Sequence, residues 1–357
     1  ALQHSFEKIL FLTGEGSFFK KLFDISRSKD FPIPYEVLYA SRRSIALFSL
    51  EVNWDVAKQV AYNVCDSYKD IKDLFSIPDE KWNPCLQKNY INEEDKWNKD
   101  EYILEDLKET ILEEGDKRTK IFVSYLSQLY DSTVKNIGMV DVGWSGTSQL
   151  CLQKFLKSIN PSVNICGLYF AVLNDKNPKD KKYGFVSSPS ENKYELQVAN
   201  AGFIFENIFL DLIGQTVGYI QNKDNTIEPI LNTSLVFEDE TIKRIQSAIF
   251  DFFNDYKKVE EFGVIHHDIC INKLLNTLNY PSGELANMLG DIKWADSEKN
   301  IQYISKPSYN LLWGLLHFRK LIRDINKCGW KSGFCRRMFK IPFPYAKLYF
   351  LYKRLGK

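Results

Sequence analysis

The sequence has little of what metal centres and disulfide frameworks are made from. It contains four histidines, of which only His266 and His267 are neighbours, and adjacent residues of a helix do not face the same side. Its seven cysteines are an odd number, and no two have the spacing of a CxxC pair. We therefore expect neither a histidine-based metal site nor a disulfide framework, and a reducing compartment such as the cytosol is the expected environment.

Long apolar runs and the common nucleotide-binding motifs are missing as well. No stretch of about 18 apolar residues occurs, so no membrane-spanning helix is predicted. The opening residues ALQHSFEKILFL lack the basic segment and apolar run of a secretion signal, and none is expected. Neither GxxxxGK(S/T) nor GxGxxG is present, which argues against P-loop and nicotinamide-dependent enzymes. A DxDx(T/V) strand end is also missing, so the aspartyl-phosphate chemistry of haloacid dehalogenases is not expected in this chain.

The charge that is present is unevenly distributed. The 357 residues carry a net charge of only +1, and 44% of them are hydrophobic, as in a globular protein with a sizeable core. Residues 311–357 contain twelve Lys or Arg and one acid, a balance of +11, whereas the rest has 35 basic and 45 acidic residues, a balance of −10. An acidic body with a basic end indicates a negatively charged partner for that end.

The order of apolar runs, turns and amphipathic segments predicts an α/β fold with a parallel sheet. Short apolar runs predict strands at 9–12, 36–39, 137–142, 164–173 and 183–188. A polar, mostly helical insertion is expected over about 55–130, and a solvated loop over 174–182. We therefore predict a Rossmann-like or phosphoribosyltransferase-like α/β domain over 1–310, followed by a basic, amphipathic helical region over 311–357.

The segment MVDVGWSGTSQLCLQKFL places a glycine-rich turn between a predicted strand and a predicted helix. Gly143 and Gly146 permit close approach of a ligand to the backbone, and the following helix presents free N–H groups. Hydroxyls come from Ser145, Thr147 and Ser148. The segment is thus either a cradle for an anion such as phosphate, or a tight turn in which a hydroxyl caps the helix.

Two further strand ends carry groups suited to anions. The first predicted strand is followed by a second glycine-rich turn that opens a helix, with Gly14, Gly16, Ser17 and, one turn later, Lys20. The second strand is followed by Arg42 and Arg43, which are either a bidentate anion clamp or surface charges. Because all three groups follow strands, together they favour a polyphosphate ligand.

Three segments resemble one enzyme family. KILFLTGEGSFFKKLFD with YEVLYASRRS resembles the pattern FLxREGxxxxxxY…YLYxSRRS, and VDVGWSGTSQ resembles VDxGWxGTxQ. FENIFLDLIGQTVGY and YPSGELANMLGDIKWAD resemble two weaker downstream segments. The family is the glycan phosphoribosyltransferase domain of bacterial ribofuranosyltransferases, a domain often fused to a haloacid-dehalogenase-type phosphatase. The resemblance covers most of residues 5–300.

The resemblance implies a glycosyltransferase of surface polysaccharide biosynthesis, for example of O-antigen or capsule. Its donor would be phosphoribosyl diphosphate, and it would transfer 5-phosphoribose with inversion to a hydroxyl of a growing, lipid-linked glycan. A separate phosphatase would then remove the 5-phosphate to leave a β-ribofuranoside. Two alternatives stay open: a nucleotide-sugar-dependent glycosyltransferase of the same pathway, and a non-catalytic glycan-binding module.

The resemblance also assigns roles to residues. Gly143 to Gln149 are expected to bind the donor, with its 5-phosphate in the turn from Trp144 to Ser148. Its diphosphate is expected at Gly14 to Ser17 together with Lys20, Arg42 and Arg43. Gly14 stands where the family usually has Arg, which leaves Lys20 or Arg42 to replace that charge. Mg²⁺ commonly bridges diphosphates, yet no acidic pair in the sequence obviously holds it.

The remaining candidates concern the acceptor. A hydroxyl nucleophile needs a general base, and the candidates are Asp141, Glu15 and Glu206, of which we favour Asp141. Trp144 is expected to stack on a sugar ring, or to be a partly exposed core residue, and Tyr219 is a weaker candidate for acceptor binding.

The basic end of the chain admits three interpretations. It forms amphipathic helices on the anionic inner face of the cytoplasmic membrane, or packs on the acidic body, or binds nucleic acid, which we disfavour. The first would make the protein cytoplasmic and peripheral to the membrane, where a lipid-linked acceptor is found.

Overall fold

A computed structural model describes residues 5–27, 30–48, 50–173, 175, 178–189, 194–233, 238–259, 266–295 and 301–355. Within these ranges the side chain of Arg43 lies outside the description. The predicted role of that side chain therefore stays a prediction.

Five parallel strands form the central sheet, which confirms the α/β, Rossmann-like prediction. They are β1 (Lys8–Leu12), β2 (Tyr35–Leu38), β3 (Asn136–Trp144), β4 (Asn164–Val172) and β5 (Lys182–Ser187). Their spatial order is β2-β1-β3-β4-β5. Both faces of the sheet are covered, as parallel sheets require, and this explains the uninterrupted apolar run ILFL in β1.

Alternate residues of the strands face two different helical layers. Ile9 and Phe11 pack in a cluster with aromatic residues of helix α1 (Glu15–Ser26). Leu10 and Leu12 point the other way, into a cluster with Leu152 of helix α8 (Thr147–Ile159). Because α1 directly follows β1 and α8 directly follows β3, the two helices begin at the same edge of the sheet, on opposite faces.

Helices form a second layer beyond β2, as the sequence predicted, although they begin earlier than residue 55. They are α2 (Arg42–Phe48), α3 (Leu50–Val64), α4 (Tyr68–Phe75), α5 (Asp79–Asn89), α6 (Glu101–Asp106) and α7 (Lys108–Leu129). This insertion has its own core, in which Trp82 and Trp97 are fully buried. A capping box at the start of α4, made by Ser67 and Asp70, fixes one of its turns.

The chain after the sheet adds helices and two small hairpins. They are α9 (Glu195–Asn200), α10 (Gly202–Phe209), β6 (Gln215–Gln221), β7 (Ile227–Asn232), α11 (Glu240–Val259), α12 (His267–Asn279), α13 (Gly283–Gly290), β8 (Lys293–Ala295) and β9 (Ile301–Tyr303). The β6–β7 pair is antiparallel, and its turn contains Asn225 at a φ of 66°, which confirms the predicted hairpin. Helix α10 packs against α1 and against the end of β3.

The basic end of the chain is a helical unit docked on the body. It consists of α14 (Leu311–Leu316), α15 (Phe318–Lys327), α16 (Lys331–Phe339) and α17 (Tyr345–Leu355). It has a small core that includes Leu321, Phe334 and Met338. Trp330 leaves this unit and is fully buried in the body, where its indole N–H donates to the carbonyl of Leu278 at 2.9 Å. Within the described residues, no helix is both long and apolar enough to cross a bilayer.

Candidate functional site

The strand order places a crevice between β1 and β3. The chain leaves β1 for β2 on one side and later enters β3 on the other, so the helices that follow β1 and β3 diverge. In open α/β sheets ligands bind outside the carboxyl ends of the strands at such a switch point. The two glycine-rich turns of the sequence both lie there, one before α1 and one before α8.

The turn after β1 depends on glycine at two positions. Gly14 has a φ of 97°, a conformation that strains any residue with a side chain, so the arginine usual in the resembled family would not fit this backbone without strain. A Cβ on Gly16 would lie 2.7 Å from the carbonyl oxygen of Val140, so Gly16 allows α1 to start directly against β3. No side chain caps α1, and the buried hydroxyl of Ser17 has no hydrogen-bond partner. Donors are therefore left open at this helix start.

The turn after β3 holds a strained backbone. Gly143 and Gly146 have φ values of 107° and 68°, and Trp144 between them has a φ of 76°. A positive φ costs a non-glycine residue on the order of 1–2 kcal/mol. Trp144 is held by its carbonyl, which accepts from the N–H of Leu173 at 2.6 Å, and by its indole N–H, which donates to Glu206. The side-chain hydroxyls of Ser145 and Thr147 bond to each other at 2.9 Å, and no side chain caps α8.

The structure brings the three predicted acids together in this crevice. Glu15 is the first residue of α1, Asp141 lies near the end of β3, and Glu206 lies on α10. All three are partly buried. Burial, and then the negative charges of Asp141 and Glu206, raise the pKa of Glu15 well above its usual range. Burial also raises the pKa of Glu206, against the hydrogen bond from Trp144.

Asp141 has the protonation behaviour of a general base at neutral pH. Burial raises its pKa from 3.8 to about 7; the hydrogen bond from the Val142 N–H, at 2.8 Å, opposes this rise, and the charge of Glu206 adds to it. A catalytic group works best with a pKa near the working pH. One of the two carboxylate oxygens of Asp141 is thus bound to the neighbouring backbone of β3.

Arg42 and a lysine that the sequence analysis missed add positive charge. Arg42 is the exposed first residue of α2 and lies close enough to α8 for its charge to oppose the burial that raises the thiol pKa of Cys151. Lys182 opens β5, is buried and pairs with Asp175 at 2.8 Å. A Cβ on Gly146 would lie 2.6 Å from Cε of Lys182, so this cation lies beneath the start of α8.

The position of Lys182 corrects the sequence analysis, which placed it in a solvated loop. Four lysines and two aspartates among residues 175–182 indicate a polar surface, and only the pairing of β5 with β4 makes Lys182 an interior residue. The pattern YGF that follows it was the one local indication of a strand.

The functional groups of three predicted site residues, Lys20, Gln149 and Tyr219, have partners outside the crevice. Lys20 turns along α1 to pair with Asp24 at 3.0 Å and lies over the ring of Tyr35, at the amino end of the strands. It therefore does not replace the arginine for which Gly14 stands.

The side chains of Gln149 and Tyr219 bond to other parts of the chain. Gln149 is fully buried; its amide donates to the carbonyls of Ile165 and Lys181, and its oxygen accepts from the Tyr169 hydroxyl at 2.9 Å. It thus joins α8 to β4 instead of binding a donor. The Tyr219 ring stacks in the core on Tyr125. Its hydroxyl donates to the main-chain carbonyl of Tyr39 at the end of β2, and the residue lines a cavity away from the crevice, so its predicted role with an acceptor stays a prediction.

The described residues contain no group of three or more His, Cys, Asp or Glu side chains placed to hold a metal ion. The three acids of the crevice influence one another's charge without forming such a set.

A cavity of about 580 Å³ lies elsewhere, between the insertion and the β6–β7 hairpin, and none of the three acids lines it. Its size alone does not make it the reaction centre. The crevice between β1 and β3 unites buried acids, glycine turns and open helix starts, and it is the site that chemistry favours.

The chain matches no family model, and no curated protein is significantly similar to it.

Proposed function

We propose that this protein is a glycosyltransferase that moves 5-phosphoribose from phosphoribosyl diphosphate to a sugar hydroxyl. The observation that carries the proposal is the convergence, at one switch point, of two uncapped helix starts and an aspartate with a pKa of about 7. An anionic donor with charge at both ends and a neutral hydroxyl nucleophile require these two features together. The resemblance of the two turns to the phosphoribosyltransferase patterns supports the same donor.

The donor is proposed to span the crevice. The 5-phosphate lies at the start of α8, where the N–H groups after Gly146 are open and the ion pair of Lys182 with Asp175 lies beneath them. We place the diphosphate at the start of α1, near the unpartnered hydroxyl of Ser17, and we assign Arg42, the first residue of α2, to its charge. The reacting carbon of the ribose then lies between the two turns, where Asp141 is found.

The reaction is an inverting displacement. Asp141 takes the proton of the acceptor hydroxyl while that oxygen attacks C1 of the ribose from the face opposite the diphosphate. The bond from C1 to the diphosphate oxygen breaks, and pyrophosphate leaves toward the positive end of α1 and Arg42, which stabilise its charge. Glu206 holds the indole of Trp144, and this fixes the strained turn against which the ribose lies.

The acceptor that we propose is a lipid-linked glycan of surface polysaccharide assembly. It lies at the inner face of the cytoplasmic membrane, and a separate phosphatase removes the 5-phosphate from the product. A β-ribofuranoside results, because displacement inverts the α-configured donor.

Ligand protection and product release test the proposal directly. We expect phosphoribosyl diphosphate to raise the melting temperature, and pyrophosphate to appear only when a glycan acceptor is added. Protection by a nucleotide sugar instead would favour a nucleotide-sugar-dependent transferase. Glycan binding without protection by either donor would identify a binding module and would contradict the proposed reaction.

A further inference from the structure

The C-terminal helical unit presents apolar side chains to solvent on α14. Leu312 is 70% exposed and Leu316 74%, and Leu315 and Phe318 are also more than half exposed. On the inner side of the helix, Gly314 is buried; a Cβ there would lie 2.9 Å from the ring of Tyr309. Gly314 thus lets α14 lie close against Tyr309, with the leucines turned outward. We call Leu312, Leu315, Leu316 and Phe318 the leucine patch.

A row of cations runs beside the leucine patch. Arg319, Arg323 and Lys327 are spaced four residues apart on α15, so they lie along one face of that helix, and all three are exposed. The opposite face of α15 holds Leu321 and Ile325 in the small core of the unit. Exposed apolar groups and a row of exposed positive charge therefore lie on two helices that follow each other and pack together.

The acidic body leaves most of this charge unneutralised. Among the basic side chains of α14–α17 that the structure describes, only Arg337 forms an ion pair with an acid of the body, Asp291, at 2.8 Å. Arg323 pairs with its own neighbour, Asp324, and Lys347 lies over the ring of Tyr280. Packing on the body explains why Trp330 and Arg337 occur in these helices. It does not explain the exposed cations of α15, which form no ion pair with an acid of the body within the described residues.

We infer that the leucine patch and the α15 row dock this protein on an anionic lipid bilayer. Leucine and phenylalanine would enter the boundary between headgroups and acyl chains, and the cations would meet the negative headgroups. Trp313 is partly exposed, and the ammonium group of Lys320 lies over its ring. In the docked protein Trp313 would lie at the headgroup level, which tryptophan favours. A nucleic acid would use the cations but would leave the leucine patch in water.

This inference is independent of the proposed donor, because vesicle binding is measured without substrate. We expect the full chain to sediment with vesicles that contain about one third phosphatidylglycerol, and far less with pure phosphatidylcholine. Binding should weaken as salt rises, since part of it is electrostatic. Equal binding to both vesicles, or no binding to either, would overturn the inference.

Two sets of substitutions separate the two contributions. The triple change Arg319→Gln, Arg323→Gln and Lys327→Gln should lower vesicle affinity by about a hundredfold, at roughly fivefold for each charge. The triple change Leu312→Ser, Leu315→Ser and Leu316→Ser should lower it by at least about tenfold. Exposed residues of the body serve as controls. Lys117→Gln with Lys120→Gln is the control for the loss of charge, and Ile220→Ser with Ile269→Ser is the control for the loss of apolar side chains.

The controls should bind vesicles as the native chain does, and all variants should keep its melting temperature. Oligonucleotide binding that depends on the α15 row, without vesicle binding, would assign the surface to nucleic acid. Dimerisation that the leucine substitutions abolish, without vesicle binding, would assign it to a second copy of this chain. Either result would contradict membrane docking.

Discussion

Aspartates of the helical insertion and of the crevice differ in the sign of their pKa shifts. In the insertion, Asp106 lies at the surface and accepts from Lys88 at 2.9 Å, and this bond lowers its pKa. In the crevice, burial raises the pKa of Asp141 to about 7, and no cation pairs with it in the described part of the chain. An unpaired, partly buried acid costs folding energy, and a strongly raised pKa is a feature that catalytic groups share. The insertion therefore pairs its aspartate with a cation, whereas the crevice leaves unpaired the aspartate that we propose as the general base.

The largest expected effect comes from removing the charge of Asp141. Asp141→Asn should lower the transfer rate by about 10²–10⁴-fold, the usual contribution of a general base, and should leave the fold intact. Asp106→Asn is the matched control and should leave the rate within about twofold, because its bond to Lys88 is a surface interaction. The rate of pyrophosphate release checks both, and equal losses in the two variants would remove the distinction between the regions.

Packing at the start of α1 offers the next test. Gly16→Ala forces a Cβ to within 2.7 Å of a backbone carbonyl, so we expect a loss of about 1–3 kcal/mol in the free energy of unfolding. Gly218→Ala is the control, since its Cβ would meet only Ile230 at an ordinary 3.6 Å. Urea denaturation measures both. A neutral Gly16→Ala would mean that α1 can move away from β3 without cost.

The raised pKa of Asp141 should make the free energy of unfolding depend on pH. Because the folded pKa is about 7 and the unfolded one near 3.8, the folded state binds more protons than the unfolded state between these values. Its stability therefore falls as pH rises through this window. Asp141→Asn lacks this loss, so its melting temperature relative to the native chain should rise from pH 4 to pH 7 and then level off. A difference that stays constant with pH would contradict the assigned pKa.

The smallest effect should come from Glu206. Its negative charge helps to raise the pKa of Asp141, so Glu206→Gln should move the midpoint of the pH–rate profile to lower pH. Glu105→Gln, in the insertion, is the control and should leave the midpoint in place. An unchanged midpoint in Glu206→Gln would mean that burial alone sets the pKa of Asp141.

Local patterns predicted the sheet and the two turns, and contacts between distant segments set the roles of individual side chains. The strand at 137–142 and the turn at 143–146 could be read from apolar periodicity and glycine alone. The sequence predicts ligand contacts for the amide of Gln149 and the hydroxyl of Tyr219. In the structure both groups donate to backbone carbonyls of distant segments, and such partners cannot be recognised from the sequence. Lys182 was missed for the same reason, because its burial depends on the neighbour of β5 and not on its own surroundings in the chain.

The burial of Trp330 has a consequence for how the protein can be divided. Its indole fills the body core, and Ser332 and Asn200 bond to each other beside it at 3.1 Å, so body and terminal helices share one interior. A chain cut at residue 310 would open a hole the size of a tryptophan where α12 and α13 now pack. The terminal helices are therefore not a detachable module. Because the terminal helices and the body share one core, a surface that binds these helices would also set the orientation of the crevice relative to that surface.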